Sequence, residues 1–328
     1  MNVNDDTQNS KLSDDEVKLV GERLEQVRAQ VSRVFVGGSS ALDALLVALL
    51  ARGHVLLEGV PGVAKTTLAK AFAASLGCEL RRVQFTPDLL PSDITGTYVL
   101  DPRSGTFSLR KGPLFANVVL ADEINRAPAK TQSALLEAMQ EGQATIEGER
   151  QGLPSPFIVL ATQNPVDLEG TYPLPEAQLD RFLVRLVLGY PEEGAEIAML
   201  KTHNTPPPAP VPVLNPEEIE RMQDICGRVH AEQDIYHYAV SLCRATRQSS
   251  RVMLGASPRA SLALLHASKA HAILHGRTFV TPDDVRAVAP PVIAHRLVLV
   301  PDLEGDEEAR QQVVSEALKQ VPYSRAAT

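Results

Sequence analysis

Between an apolar run, His54-Val55-Leu56-Leu57, and a helical pattern from Leu68 to Leu76 stand Glu58-Gly59-Val60-Pro61-Gly62-Val63-Ala64-Lys65-Thr66-Thr67. A glycine-bearing loop between a strand and a helix, ending in Lys-Thr, has the residue types needed to hold a triphosphate. Small residues let backbone N–H groups close on phosphate oxygens, and the helix start adds partial positive charge. Gly59, Val60, Pro61, Gly62, Val63, Ala64, Lys65, Thr66 and Thr67 are therefore expected to cradle a nucleotide such as ATP. Lys65 would reach its β- and γ-phosphates, and Thr66 would hold Mg²⁺ through its hydroxyl. Ala64 stands where the generic loop has a glycine, and is expected to keep a negative φ.

A second set of polar residues follows apolar strands. Asn117-Val118-Val119-Leu120-Ala121 runs into Asp122-Glu123, and the carboxyl ends of strands are where open α/β sheets bind ligands. Asp122 is expected to coordinate Mg²⁺, and Glu123 to orient and deprotonate an attacking water. The strand Phe157–Ala161 ends in Thr162-Gln163-Asn164-Pro165. Asn164 is either a polar sensor beside the carboxylates or a turn-forming Asn before proline. Arg181, in Leu179-Asp180-Arg181-Phe182, is either a surface arginine paired with Asp180 or an arginine finger reaching a neighbouring subunit's γ-phosphate. Such a finger is worth on the order of 10³–10⁵ in rate. Arg259 follows Ser257-Pro258 in the first turn of a helix. A cation is badly placed there against the helix dipole, which favours a functional role.

These residues need a scaffold. The strands His54–Leu57, Leu80–Phe85, Asn117–Ala121, Phe157–Ala161 and Leu183–Leu188 alternate with helical stretches. Several are continuous apolar runs, as in a parallel sheet covered on both faces, which implies a three-layer α/β domain. Residues 1–12 are polar and expected to be flexible. Residue 13 opens the nucleotide domain, which extends to 203, because Ser13 and Glu16 form a capping-box pattern before Val17, Val20, Leu24, Val27 and Val31. Two hairpins are expected inside it, near 95–109 and 144–150, and Pro128 starts a helix whose Leu135, Leu136 and Met139 are core residues. The proline-rich segment 204–215 reads as a stiff linker. From 216 to 328 a smaller helical domain follows, with no strand signal up to Val288. Asn215 and Thr281 are N-caps, each followed by proline.

The chain has 328 residues, 44% apolar and only 4% aromatic, with no Trp and a net charge of −8. This composition supports a full core and about two domains, and weighs against a general nucleic-acid binder. Three cysteines at no metal-type spacing argue against a disulfide framework and point to a reducing cytoplasm. There is no apolar run of ~18 residues, so no membrane span is expected, and the acidic N-terminus is unlike a signal peptide.

Taken together, from about Phe35 to Val300, the chain resembles an AAA+ ATPase, specifically of the MoxR family. The resemblance rests on Glu58–Thr66, Ala121-Asp-Glu-Ile-Asn-Arg-Ala-Pro-Ala-Lys-Thr-Gln132, Ala161-Thr-Gln-Asn-Pro165 and Leu174-Pro-Glu-Ala-Gln-Leu-Asp-Arg-Phe182. The family commonly carries Ala at the Ala64 place. The resemblance implies a five-stranded parallel sheet of order 5-1-4-3-2, a C-terminal all-helical lid, and rings, usually hexamers, with ATP between subunits. It implies Lys65 and Thr66 as Walker A, Asp122 and Glu123 as Walker B, Asn164 as sensor 1, Arg181 as arginine finger and Arg259 as sensor 2. Arg126 is a rival for the trans-acting arginine. It also implies that both hairpins face the pore or substrate. The function implied is chaperone-like remodelling or assembly of protein complexes, with a partner carrying a von Willebrand factor A domain. A nucleic-acid-translocating motor is an alternative. Against it stand the net charge and hairpins poor in basic residues apart from Arg103 and Arg110-Lys111. A magnesium-chelatase-like motor subunit would share every motif.

Overall fold

The computed structural model describes residues 12–35, 38–60, 62–164, 170–190, 192–203 and 209–323, with backbone alone at 195, 198 and 201–203. The expectations for residues 1–11, Pro61, Pro165, residues 204–208 and residues 324–328 lie outside the described residues.

The chain opens with two helices, α1 (Asp14–Ser32) and α2 (Ser39–Leu50). Ser13 caps α1 by accepting from the Glu16 N–H, while the Glu16 carboxylate accepts from the Ser13 N–H. Val17, Val20, Leu24, Val27 and Val31 are buried, as their spacing requires. The chain then runs through β1 (Val55–Gly59), α3 (Lys65–Ser75), β2 (Leu80–Gln84) and α4 (Pro91–Thr95). A hairpin, β3 (Gly96–Asp101) and β4 (Thr106–Lys111), precedes β5 (Val118–Asp122) and α5 (Ala129–Glu141). A second hairpin, β6 (Gln143–Ile146) and β7 (Glu149–Gly152), leads to β8 (Ile158–Gln163), α6 (Glu176–Leu179), β9 (Val184–Leu188) and α7 (Glu193–His203).

The sheet has the order β2-β5-β8-β1-β9, with every pair parallel. Counting only these five strands along the chain, read from the β9 edge, the order is 5-1-4-3-2, as the resemblance implies. Alternate residues face opposite layers, because a strand's side chains have a period of two. Val55, Leu57, Val118, Leu120, Ile158 and Leu160 join one core with α1, α2, α3 and the C-terminal helices. Leu56, Val119, Ala121, Val159 and Ala161 join a second with Leu135, Leu136 and Met139 of α5.

The two hairpins lie side by side. Tyr98 Oη donates to Glu149 Oε2 at 2.5 Å, and Thr97 Oγ1 to Glu147 Oε1 at 3.4 Å. Thr145 Oγ1 ties the second hairpin to Glu137 of α5 at 3.0 Å.

The C-terminal part contains α8 (Pro216–Gly227), α9 (Gln233–Thr246), β10 (Val252–Leu254), α10 (Pro258–Leu274), α11 (Pro282–Ile293), β11 (Val298–Leu299) and α12 (Glu307–Gln320). Asn215 and Thr281 each form a capping box. Within this helical lid, β10 and β11 pair as a short antiparallel ribbon that the sequence does not signal. Three residues are too few to show alternation, and their partner lies beyond two helices. No helix among the described residues is long and apolar enough to cross a membrane, and Cys78, Cys226 and Cys243 are free thiols.

Two buried histidines are held neutral. Desolvation pushes His54 down to about 4. Its Nδ1 accepts the Val159 N–H, so Nε2 carries the proton donated to the Met139 carbonyl. Desolvation, helped by the Arg296 charge, holds His295 well below its ordinary value. A base whose pKa is lower folded than unfolded binds fewer protons in the native state. Its stabilising effect is complete above pH ~6.5 and declines as pH falls toward 4. The His54 shift amounts to about 2 kcal/mol lost between pH 7 and pH 5. Thermal unfolding should therefore show a lower midpoint at pH 5 than at pH 7, and a smaller difference for His54→Gln. Equal midpoints at the two pH values would show that these rings are not held neutral.

Candidate functional site

The parallel register brings the carboxyl ends of β1, β5 and β8 to one edge of the sheet, so the residues that follow them converge. Gly59 ends β1, and its missing side chain matters: a Cβ there would lie 2.5 Å from the Leu188 carbonyl oxygen of β9. Val60 follows; Gly62 has φ +89°, a left-handed conformation that favours glycine. Lys65, Thr66 and Thr67 form the first turn of α3, preceded by Val63 and by Ala64 as N-cap. Lys65 Nζ donates to the Gly59 carbonyl at 2.5 Å, folding the side chain over the loop.

Ala64 corrects the expectation of a negative φ: it sits at φ +58°, ψ +24°. The loop must turn sharply to enter α3, and a left-handed N-cap supplies that turn at a cost of about 1–2 kcal/mol for a residue with a Cβ. Glu123 shares this conformation, at φ +57°, ψ +51°. Both residues stand where chemistry is expected, as strained backbone commonly does.

Asp122, the last residue of β5, is buried, and both its oxygens are engaged. Thr162 Oγ1 donates to Oδ1 at 2.6 Å. Arg82 of β2 donates to Oδ2 from Nε at 2.9 Å and from a terminal nitrogen at 2.7 Å. The Glu123 N–H in turn donates to Thr162 Oγ1 at 2.8 Å. The Glu123 carboxylate accepts from Gln84 Nε2 at 2.8 Å and pairs with Arg126 at 3.1 Å. Each carboxylate thus has its own arginine. Asn164 is buried immediately after β8, at the same edge.

Arg181 and Arg259 are placed differently. Neither side chain makes a hydrogen bond or ion pair with any described residue; Arg181 is half-buried between α6 and β9, and Arg259 is exposed in the first turn of α10. The reading of Arg181 as a surface partner of Asp180 is corrected: the partner is Arg296, at 2.6 Å. The carboxylate prefers the buried guanidinium, which needs it more.

Beside the loop, a cleft of about 1110 Å³ runs between sheet and lid, bordered by Phe35, Gly62, Val63, Ala64, Leu188, Val288 and Pro291. It is large and mostly apolar, as a nucleoside site requires, and it opens onto the loop where phosphates would lie. The donor set therefore fits Mg-ATP. Backbone N–H groups, Lys65 and Thr66 stand at a helix start, with an aspartate carboxylate at the same sheet edge. Thr66 and Asp122 are the residues that could hold the ion. Under the loop, Arg185 of β9 bridges Glu58 of β1 and Glu307 of α12, each at 2.5 Å. Burial opposes the Arg185 charge, but the two glutamates outweigh it and hold its pKa above the ordinary value.

On the lid side of the cleft, which His271 borders, His271, His275 and Asp284 bring possible ligand atoms within 4.8 Å of one another. Asp284 is the capping-box residue of α11, already paired with Arg277 and His271. Asp284 is wholly buried with both oxygens taken, Oδ1 by His271 and Arg277 and Oδ2 by the Thr281 N–H and hydroxyl, so the cluster is a clamp within the lid.

Arg82, Gln84 and Thr162 escape the sequence reading, although Thr162 lies inside a quoted motif. Arg82 and Gln84 sit two apart on β2, a same-face spacing, but only the β2–β5 register, which pairs Gln84 with Asp122, brings that face to the carboxylates.

Comparison with known proteins agrees with this geometry. Residues 54–184 match the ATPase family associated with various cellular activities (AAA), and residues 244–317 match an AAA lid domain. The chain is 46% identical to the uncharacterized protein YeaC of Bacillus subtilis, over 94% of this chain and 97% of that protein. It is 44% identical to the chaperone MoxR1 of Mycobacterium tuberculosis, over 91% of this chain and 81% of that protein. The crystal structure of an inferred ATPase from Cytophaga hutchinsonii superposes with a TM-score of 0.88 at 37% identity, covering 95% of this chain and 98% of that one.

Thr162→Val keeps the shape and removes the hydroxyl, leaving a buried carboxylate oxygen and the Glu123 N–H without their partner. This should cost about 1–3 kcal/mol, read as a fall of several degrees in the unfolding midpoint, and ATP turnover should drop about 10–100-fold, the range for removing a partner that orients a metal-ligating side chain. Unchanged turnover would remove Thr162 from the site.

Proposed function

We propose, on the premise that this chain belongs to the MoxR family of AAA+ ATPases, that it hydrolyses ATP to ADP and phosphate in a ring of its own copies. Hydrolysis drives chaperone-like remodelling or assembly of a protein complex, in the cytoplasm, together with a partner carrying a von Willebrand factor A domain. One observation carries the catalytic part. The loop ending in Lys65-Thr66 follows β1 and the Asp122-Glu123 pair ends β5, the two strands that flank β8, so both leave one parallel sheet at the same edge.

The residues divide the work. The backbone N–H groups of Gly59, Val60, Gly62, Val63 and Ala64 and the start of α3 orient the phosphates, and Lys65 neutralises charge on the β- and γ-oxygens. Bound Mg²⁺, held by Thr66 and Asp122, would offset charge on the phosphate oxygens. Glu123 accepts a proton from the attacking water, which requires its carboxylate to turn from Gln84 and Arg126. Asn164, buried beside the carboxylates, orients that water or the γ-phosphate. Arg259 reaches the nucleotide of its own subunit from the lid. Arg181 reaches that of the next subunit, and its lack of a described partner supports this reading. Its rival Arg126 is engaged with Glu123 in the same chain, which fits a brake on the base better than a finger.

The chaperone-like role is supported by the likeness to MoxR1 and by the acidic net charge of −8, which suits protein partners better than nucleic acid. Lys65→Ala should abolish ATP binding, measured by calorimetry. Glu123→Gln should bind ATP with unchanged affinity, turn it over about 10²–10⁴-fold more slowly, and accumulate as rings in size-exclusion chromatography. Hydrolysis by Glu123→Gln at the parental rate would refute the general base. ATP turnover accelerated by single-stranded DNA would replace the remodelling reading with a translocating motor.

A further inference from the structure

We propose that Arg296 is the positioning residue for Arg181, gripping the chain on both sides of it and so tying the finger of each subunit to its lid. The inference rests on the reading of Arg181 as a finger acting in trans.

Arg296 lies in a short turn after α11, with 2% of its side chain exposed. Its guanidinium is committed almost wholly to the segment around Arg181. Nε donates to Asp180 Oδ1 at 2.6 Å, and one terminal nitrogen to the carbonyls of Phe182 at 2.7 Å and Asp180 at 3.3 Å. The other donates to the Leu183 carbonyl at 3.2 Å and to that of Val292 in its own element. His295 adds a bond to the Phe182 carbonyl at 3.0 Å. Residues 180, 182 and 183 are thus fixed by one rigid fork, while the Arg181 side chain projects from between them with no described partner of its own. A planar five-donor group sets backbone direction as an ammonium cannot.

Attachment of the lid alone does not explain this arrangement. Leu183, Val184, Val288 and Val292 already belong to one continuous apolar core. A buried ion pair seldom stabilises more than apolar residues of the same volume. The extra property the guanidinium brings is direction. Asp180 also receives Ser257 Oγ on its second oxygen at 3.4 Å, and Ser257 is the N-cap of α10, whose first turn carries Arg259. The residue facing a subunit's own nucleotide and the residue presented to its neighbour therefore share one carboxylate as anchor.

The test uses full-length Arg296→Lys, which keeps the charge on Asp180 and loses the fork, with Asp180→Asn as a second variant should the first fail to fold. Each should bind ATP with affinity within about twofold of the parent and an unchanged KM. kcat should fall about 10²-fold, the scale expected when a reacting group is misplaced by about 1 Å. In rings mixed with Lys65→Ala, whose Arg181 is intact and whose own site is silent, turnover should return, as it should for the control mixture of Arg181→Ala with Lys65→Ala. If the control mixture recovers and the Arg296→Lys and Asp180→Asn mixtures do not, Arg296 serves only its own subunit and the proposal fails while the finger reading stands. Full kcat in Arg296→Lys also overturns it. If the control itself does not recover, the trans reading of Arg181 falls, and this inference with it.

Discussion

One hydroxyl ties the Asp122 carboxylate to the backbone of Glu123 at the end of β5. Thr162 Oγ1 donates to Asp122 and accepts from the Glu123 N–H, so a side chain on β8 fixes both the last residue of β5 and the turn after it. Glu123 would otherwise pay for its left-handed conformation without return. With the N–H pinned, the backbone turns there and the carboxylate leaves the sheet edge on the side of Gln84 and Arg126. The hydroxyl can serve both groups only because β5 and β8 are parallel neighbours. Sheet order thus sets the geometry around Asp122 and Glu123 as well as the packing.

Charge around the site is balanced locally in the same way. Arg82 faces Asp122, Arg126 faces Glu123, Arg185 faces Glu58, and Arg296 faces Asp180. The Arg126–Glu123 pair is part-exposed on both sides, where such contacts are worth about 0–1 kcal/mol, whereas Asp122 is buried beneath the half-exposed Arg82. The last two are buried, where separating the partners would cost several kcal/mol. The pair at Glu123 is the loosest of the four, while Arg185 braces β9 against β1 and, through Glu307, against α12, and Arg296 joins the lid to the chain before β9.

Much of this is legible in the chain. The loop, both carboxylates and Asn164 sit where short apolar strands end, and strand ends can be read locally. The capping boxes at Ser13, Asn215 and Thr281 depend only on residues three apart. What escapes depends on register. Arg82 meets Asp122 across 40 positions and Arg296 meets Asp180 across 116, and no local pattern distinguishes these arginines from solvated ones. The φ of Ala64 is misjudged because residue type argues against a left-handed backbone, while the path of the loop into α3 demands it. The β10–β11 ribbon fails to show for a related reason, since tertiary packing creates strand pairing where propensity is neutral.

The bond between Tyr98 and Glu149 has a mechanical consequence. The second hairpin is the direct continuation of α5, and the turn that begins with Glu123 feeds α5 from its other end. A rotation of the turn at Glu123 would travel down that helix as down a crankshaft. Because the hairpins are latched together, the first would swing with the second, giving the molecule one broad paddle in place of two independent fingers.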